Sequence, residues 1–229
     1  MEGIVAMSKI RARLGKLLLI IGLSCLLGPV QGWAKESELK PKLEGTALIS
    51  ALQGGGYILY MRHATSDRLQ EDTDLNNLDD CSKQRNLSGQ GRAEARRMGE
   101  LFSQLHIAIS DVHTSPYCRC VETGQLAFGQ AIKTKDLIYS LGLEPAQRNR
   151  LATALKQMLA TAPPAGKNAV LVGHTSNLKE AAGIWPKNEG DAIIFQPDGQ
   201  GGFSFVARMT TSDWEIAAKA QPAEGIPAP

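Results

Sequence analysis

The stretch YILYMRHATSD, residues 57–67, decides the fold. From Tyr57 to Met61 the side chains are apolar or aromatic without a break, the pattern of a strand covered on both faces. The run then ends abruptly in Arg62 and His63, after a glycine-rich entry at Gly54 to Gly56. The same grammar returns in NAVLVGHTSNL, residues 168–178, where an apolar strand stops at Gly173 and His174. A chain with four histidines therefore sets two of them at strand ends. In open α/β sheets, ligands sit at the carboxyl ends of strands, beside a topological switch point.

Working outward, the pattern between these strands is helical. Ala95, Met98, Leu101, Phe102 and Leu105 recur at helical spacing after Ser88, a suitable N-cap. IAISDVHTS, residues 107–115, predicts a strand and connection into SPYCRCVETGQLAFG, where Ser115 is expected as N-cap and Pro116 at the first helical position. A short helix is expected at 46–52. Another carries Leu151, Leu155, Met158 and Leu159 and is broken by TAPPAG. DAIIF and GGFSFVARM flank QPDGQ and read as a hairpin. Strands alternating with helices predict an α/β three-layer sandwich with a mostly parallel central sheet and an antiparallel edge from the last hairpin. Residues 66–86, SDRLQEDTDLNNLDDCSKQRN, are polar and aperiodic, and read as a surface loop.

The chain opens differently. Lys9, Arg11, Arg13 and Lys16 precede an apolar run from Leu17 to Leu27, and Gly32 and Ala34 suit a small-x-small cleavage site. Residues 1–34 are expected to be a secretory signal, with Met7 as an alternative start. The apolar run is shorter than the roughly 20 residues that span a bilayer, so no stable membrane anchor is expected after cleavage. The predicted organisation is a signal at 1–34, a linker at 35–45, one domain at 46–217 and a disordered tail at 218–229. The expected location is outside the cytosol, in a periplasm. Four of the 25 basic residues and one of the 23 acidic ones lie in the first 34, so the remainder holds 21 and 22. That balance supplies no basic footprint for nucleic acid. Export makes a disulfide reasonable: Cys81 is expected to pair with Cys118 or Cys120, Cys118 being preferred.

YMRHAT (60–65), LSGQGR (87–92), TSPYCRCVETG (114–124) and VGHTSN (172–177) occur in the order found in the histidine phosphatase superfamily, which includes cofactor-dependent phosphoglycerate mutases and acid phosphatases. The chain resembles that family from about Gly56 to Trp214, and the resemblance implies a phosphoglycerate mutase-like fold. It further implies that His63 is a nucleophile that becomes transiently phosphorylated, with Arg62, Arg119 and His174 on the phosphoryl oxygens. Elementary chemistry agrees, because a phosphoryl group in transit needs its charge held by fixed donors, and arginine's planar fork is always charged. The expected substrate is a small phosphomonoester, with no cofactor and no metal required. Phosphatase is preferred over mutase, since no segment for retaining and rephosphorylating a product is recognisable.

The acid that protonates the leaving alcohol departs from the family's patterns. Many members carry a leucine-x-glutamate motif after the second arginine helix, where this chain reads KTKDLIYSLGLEPAQRN and offers Asp136 and Glu144. Others place an aspartate after the second histidine, where this chain has Thr175. Glu189 and Asp191 in NEGDA complete the candidates, and Glu189 is preferred as a loop carboxyl near the strand ends. His106 and His113 are read as structural, Ser88 and Gly91 as shaping a helix start, and Asp67, Glu71, Asp72, Asp79 and Asp80 as a solvated face. Two competing readings remain: a phosphate-ligand binding module of the same fold, and a zinc site from Cys81, His113, Cys118 and Cys120, whose C-x-C spacing lacks the usual paired pattern.

Overall fold

The computed structural model describes residues 39–221. The signal at 1–34, the start of the linker at 35–38 and the end of the tail at 222–229 lie outside the described residues. Six strands, β1 (Ile58–Arg62), β2 (Ile109–Thr114), β3 (Ile132–Lys133), β4 (Asn168–Gly173), β5 (Ala192–Pro197) and β6 (Phe203–Met209), form one sheet in the order β3-β2-β4-β1-β5-β6. The β1–β4, β2–β4 and β2–β3 pairs are parallel; β5 is antiparallel to both β1 and β6. Helices α1 (Gly45–Gly54), α2 (Gly89–Gln104), α3 (Cys118–Phe128), α4 (Pro145–Ala160), α5 (Thr175–Ala182) and α6 (Thr211–Ala220) cover it. The expected three-layer sandwich with its antiparallel edge is therefore what the chain forms.

The unbroken apolar run of β1 is explained by the two layers it feeds. Leu59 and Met61 pack into a core with Leu48 and Leu52 of α1, Met98, Leu101 and Phe102 of α2 and Trp214 of α6. Ile58 and Tyr60, pointing the other way as strand alternation requires, pack with Leu155 and Leu159 of α4 and Leu178 of α5. Each such side chain, fully buried, is worth roughly 1.5–3 kcal/mol.

Three boundaries move. Lys42 donates its backbone N–H to Val206 O at 2.7 Å and Leu43 packs on the core, so the described part of the expected linker is tied to the domain. The domain also continues past residue 217, because α6 runs through Ala220 with Ala218 buried and the Thr210–Asp213 capping box fixing its start. Finally, α3 begins at Cys118 rather than at Pro116, with Tyr117 in the N-cap position and no side-chain cap. Ser115, the expected cap, faces His174, and the Cys118 N–H is taken by Gln84 Oε1 at 3.0 Å.

α2 starts as its sequence predicts, with Ser88 Oγ accepting from Gly91 N–H at 3.0 Å. The same serine donates its own N–H to Thr65 O at 3.0 Å. A Cβ on Gly91 would collide with that Thr65 carbonyl, whereas one on Gly89 meets nothing within 4 Å. The glycine in LSGQG thus lets a helix start lie directly on the loop that follows His63. Gly91→Ala is expected to lower unfolding free energy by about 1–3 kcal/mol, with Gly89→Ala neutral or slightly stabilising, both read from urea denaturation midpoints.

Candidate active site

The parallel register pairs Arg62 with Gly173, which sets His63 and His174 side by side just past two adjacent strands. His63 N–H donates to Gly173 O at 3.2 Å. Beneath them the buried Tyr60 hydroxyl donates to His174 O at 2.7 Å and accepts from His174 N–H at 3.0 Å. Gly173 permits this, since a Cβ there would strike the Tyr60 hydroxyl. The rings of His63 and His174 stand edge to face, with centroids 5.5 Å apart.

His63 is 2% exposed, and its Nδ1 lies 2.9 Å from Ala64 O. A carbonyl can only accept, so Nδ1 carries the ring proton and Nε2 keeps its lone pair. Burial first, then the neighbouring Arg119, push the His63 pKa down to about 3; the Ala64 hydrogen bond opposes this, and Arg62 and Arg85 add to it. The imidazole is therefore neutral across the physiological range, with the Nε2 lone pair free of a proton. His174 Nε2 lies 2.9 Å from Ser115 Oγ, a hydroxyl that accepts from Tyr117 N–H at 3.4 Å. A serine hydroxyl can donate to Nε2 or accept from it, so this contact serves either neutral tautomer of His174. Burial, followed by Arg119, His63, Arg62 and Arg85, also keeps His174 uncharged.

A cavity of about 650 Å³ opens over these groups, and its inner end is lined by Arg62, His63, Asp72, Arg85, Arg119 and His174. Four of the five predicted site residues meet here. Arg62 is braced by Lys187 O at 2.8 Å and Glu189 Oε1 at 3.5 Å. Arg119, 2% exposed, donates through Nη1 to Asp72 Oδ1 at 3.0 Å and to Arg85 O at 3.2 Å, and its guanidinium lies over the Tyr117 ring. The Nε atoms of Arg62, Arg85 and Arg119 are buried without a hydrogen-bond partner. Three guanidiniums lining one cavity around a neutral imidazole suit a compact oxyanion. A helix also starts at the cavity: α5 follows His174 directly, and its Thr175 and Ser176 line the wall. That N-terminus places the positive end of the helix dipole at the cavity.

The fifth predicted residue, Glu189, does not line the cavity. Its carboxylate accepts from Ser66 Oγ at 2.8 Å, Ser66 N–H at 3.2 Å and Arg62, so it acts as a brace behind Arg62 rather than an acid facing a leaving group. The other candidates are also engaged elsewhere or exposed. Asp191 accepts from Asn188, Asp136 pairs with Arg150 at 2.7 Å, and Glu144 is exposed before α4. Two residues read as loop surface are instead part of the site, Asp72 and Arg85. Asp72 Oδ1 accepts from Arg85 N–H at 2.9 Å as well as from Arg119. The one available signal was the position of Arg85 just before LSGQGR, on a segment leading into the helix start that docks on Thr65.

Cys81 and Cys118 form the disulfide, with Cα atoms 5.7 Å apart, and Cys120 remains a buried thiol. The bond removes two of the four ligands of the competing zinc reading. It ties the aperiodic loop to the first residue of α3. Burial pushes the Cys120 thiol up to about 12, so it stays protonated beside His174 Nε2 at 3.6 Å.

No protein-family model and no curated protein matches the chain. Among solved structures, the chain is similar to phosphoserine phosphatase from Entamoeba histolytica in complex with 3-phosphoglyceric acid, at 12% identity and a TM-score of 0.49, covering 69% of this chain and 98% of that one. It is also similar to the protein histidine phosphatase SixA complexed with tungstate, at 17% identity and a TM-score of 0.45, covering 69% and 98%. At such identities the likeness concerns the fold.

The depressed His63 pKa has a consequence for stability. Between the ordinary value of 6.5 and about 3, the unfolded chain binds a proton at this position that the folded chain refuses. Stability is then greatest above pH 6.5 and falls as pH drops toward 3. Urea midpoints taken at pH 7 and pH 5 without phosphate should fall for the parent protein, and fall less for His63→Gln, whose side chain does not titrate.

Proposed function

We propose that the protein is a phosphatase of the histidine phosphatase type, hydrolysing a phosphomonoester through a phosphohistidine at His63. The observation that carries this reading is the neutral, tautomer-fixed His63 at a cavity lined by three arginines, Arg62, Arg85 and Arg119. In the first step His63 Nε2 attacks phosphorus, the P–O bond to the alcohol breaks, and the departing oxygen takes a proton. In the second, water attacks the phosphohistidine, the N–P bond breaks, inorganic phosphate leaves and the imidazole is regenerated. Arg62, Arg85, Arg119 and His174 hold the phosphoryl oxygens through both steps, so the positive field needs no metal ion. Asp72, the carboxyl at the inner end of the cavity, is assigned as the group that gives the alcohol its proton and takes one from water. Export through the segment 1–34 fits a domain whose site loop is closed by a disulfide.

The specific contrary observation is that Asp72 is already engaged by Arg119 and the Arg85 N–H. A binding module that holds phosphate without turning it over shares all the other features, and one assay separates the two. Residues 35–229 should hydrolyse para-nitrophenyl phosphate in the presence of a chelator, and His63→Ala should abolish that turnover while keeping its fold. Vanadate or phosphate binding with no turnover by the parent protein would establish the binding module instead.

Asp72→Asn tests the acid. An alkyl phosphate, whose leaving group needs the proton, should lose about 10²–10³-fold in kcat. Para-nitrophenyl phosphate should lose far less. Equal losses on both would assign Asp72 to orienting Arg119 alone.

A further inference from the structure

The outer half of the cavity is not used by the chemistry above. It is built from the first turn of α4, from α5 and from the loop after α5, and it carries Arg148, Lys179, Glu180 and Trp185. We infer that this outer half is a second anion subsite beside a ring-stacking wall, and that the substrate is a sugar phosphate carrying a second anionic group. The inference rests on the phosphatase reading and names its substrate class.

Size comes first. A cavity of about 650 Å³ lies within the roughly 300–1,000 Å³ range of sites that hold whole small molecules, and a lone phosphate would fill only its inner end. Charge comes second. Five cationic side chains line the cavity, Arg62, Arg85, Arg119, Arg148 and Lys179, against the two carboxylates of Asp72 and Glu180. A single phosphate dianion leaves this excess only partly offset.

The third observation is local. Arg148 Nε is buried with no hydrogen-bond partner, and so is Glu180 Oε2. The two side chains approach only to 3.7 Å between Nη1 and Oε1, beyond hydrogen-bonding range. Arg148 Nε and Glu180 Oε2 are closed to solvent, but the Arg148 and Glu180 side chains are 43% and 24% exposed, so their other polar atoms are what the cavity wall presents. Arginine's fork suits a carboxylate or phosphate, and the Glu180 carboxylate suits a hydroxyl donor next to it.

Trp185 supplies the remaining element. Its ring is 40% exposed at the cavity, its carbonyl is held by Arg208 Nη2 at 3.1 Å, and the Lys179 ammonium stands 4.8 Å from the ring centroid. An indole that stays partly exposed with the Lys179 ammonium over its ring presents an apolar wall for a sugar ring and a cation to meet an anionic substituent on it. An anion, hydroxyls and a ring together describe a phosphorylated sugar with a second phosphate or a carboxylate.

The test uses binding, so that it reads separately from turnover. Calorimetric titration of residues 35–229 carrying His63→Ala compares fructose 1,6-bisphosphate with fructose 6-phosphate, which differ by one phosphate. The bisphosphate should bind at least about 10-fold more tightly. Adding Lys179→Met, which keeps the stem over Trp185, or Arg148→Gln should each cut that ratio several-fold. Two substitutions guard against misfolding of either one. Equal affinity for the two sugars, a ratio unchanged in both variants, or no binding of either sugar would overturn the subsite. Turnover of para-nitrophenyl phosphate by the parent protein reports on the phosphatase reading by itself. Selective binding without that turnover would sink the catalysis and keep the subsite; turnover without selectivity would do the reverse.

Discussion

Parallel pairing of β1 with β4 is the constraint from which the site follows. With Arg62 opposite Gly173, the residues after both strands emerge together, and a shift of one position would turn every alternating side chain to the opposite layer. Tyr60 adds a lock: its hydroxyl satisfies both the N–H and the C=O of His174, so the backbone of one strand end is held by a side chain of the other. Because the site's cations crowd together, they need carboxylates close by. Glu189 behind Arg62 and Asp72 beside Arg119 supply them.

Motif residues that do no chemistry have a common target. Ser88 donates to Thr65 O, Gly91 leaves room for that carbonyl, and Thr123 Oγ1 accepts from Ala64 N–H at 3.1 Å while donating to Arg119 O at 2.7 Å. Segments far apart in the chain therefore converge on the two residues after His63. Ala64 contributes the carbonyl that orients the His63 ring, so restraining this short loop restrains the tautomer.

This explains how much was legible in the chain. The strands bearing His63 and His174 announce themselves by unbroken apolar runs, because both layers press on them. Arg119 is marked by its place after the β2 strand, and the Cys81–Cys118 pairing was among the expected alternatives. Asp72 and Arg85 were not recognisable, since residues 66–86 have no period and their positions are set by long-range contacts: Asp72 to Arg119, Gln84 to Cys118 and Cys81 to Cys118. Glu189 was misread for a related reason. A loop carboxylate near a strand end looks the same in sequence whether it faces a cavity or turns back onto Ser66 and Arg62. α5, only eight residues long, and β3, only two, carry too little periodicity to be read.

The loop that delivers Asp72 and Arg85 contains one short 3₁₀ turn, at Cys81–Lys83, and is otherwise without helix or ladder to stiffen it. The cross-link across 37 residues takes over that task. In the chain-entropy account, a closed loop of that length restricts the unfolded state by about 4 kcal/mol. Once the bond exists, the cost of bringing two site side chains to the cavity has been met during folding rather than at encounter. An arriving anion then spends little of its interaction energy on ordering the protein, and more of it is available for holding the reacting group in place.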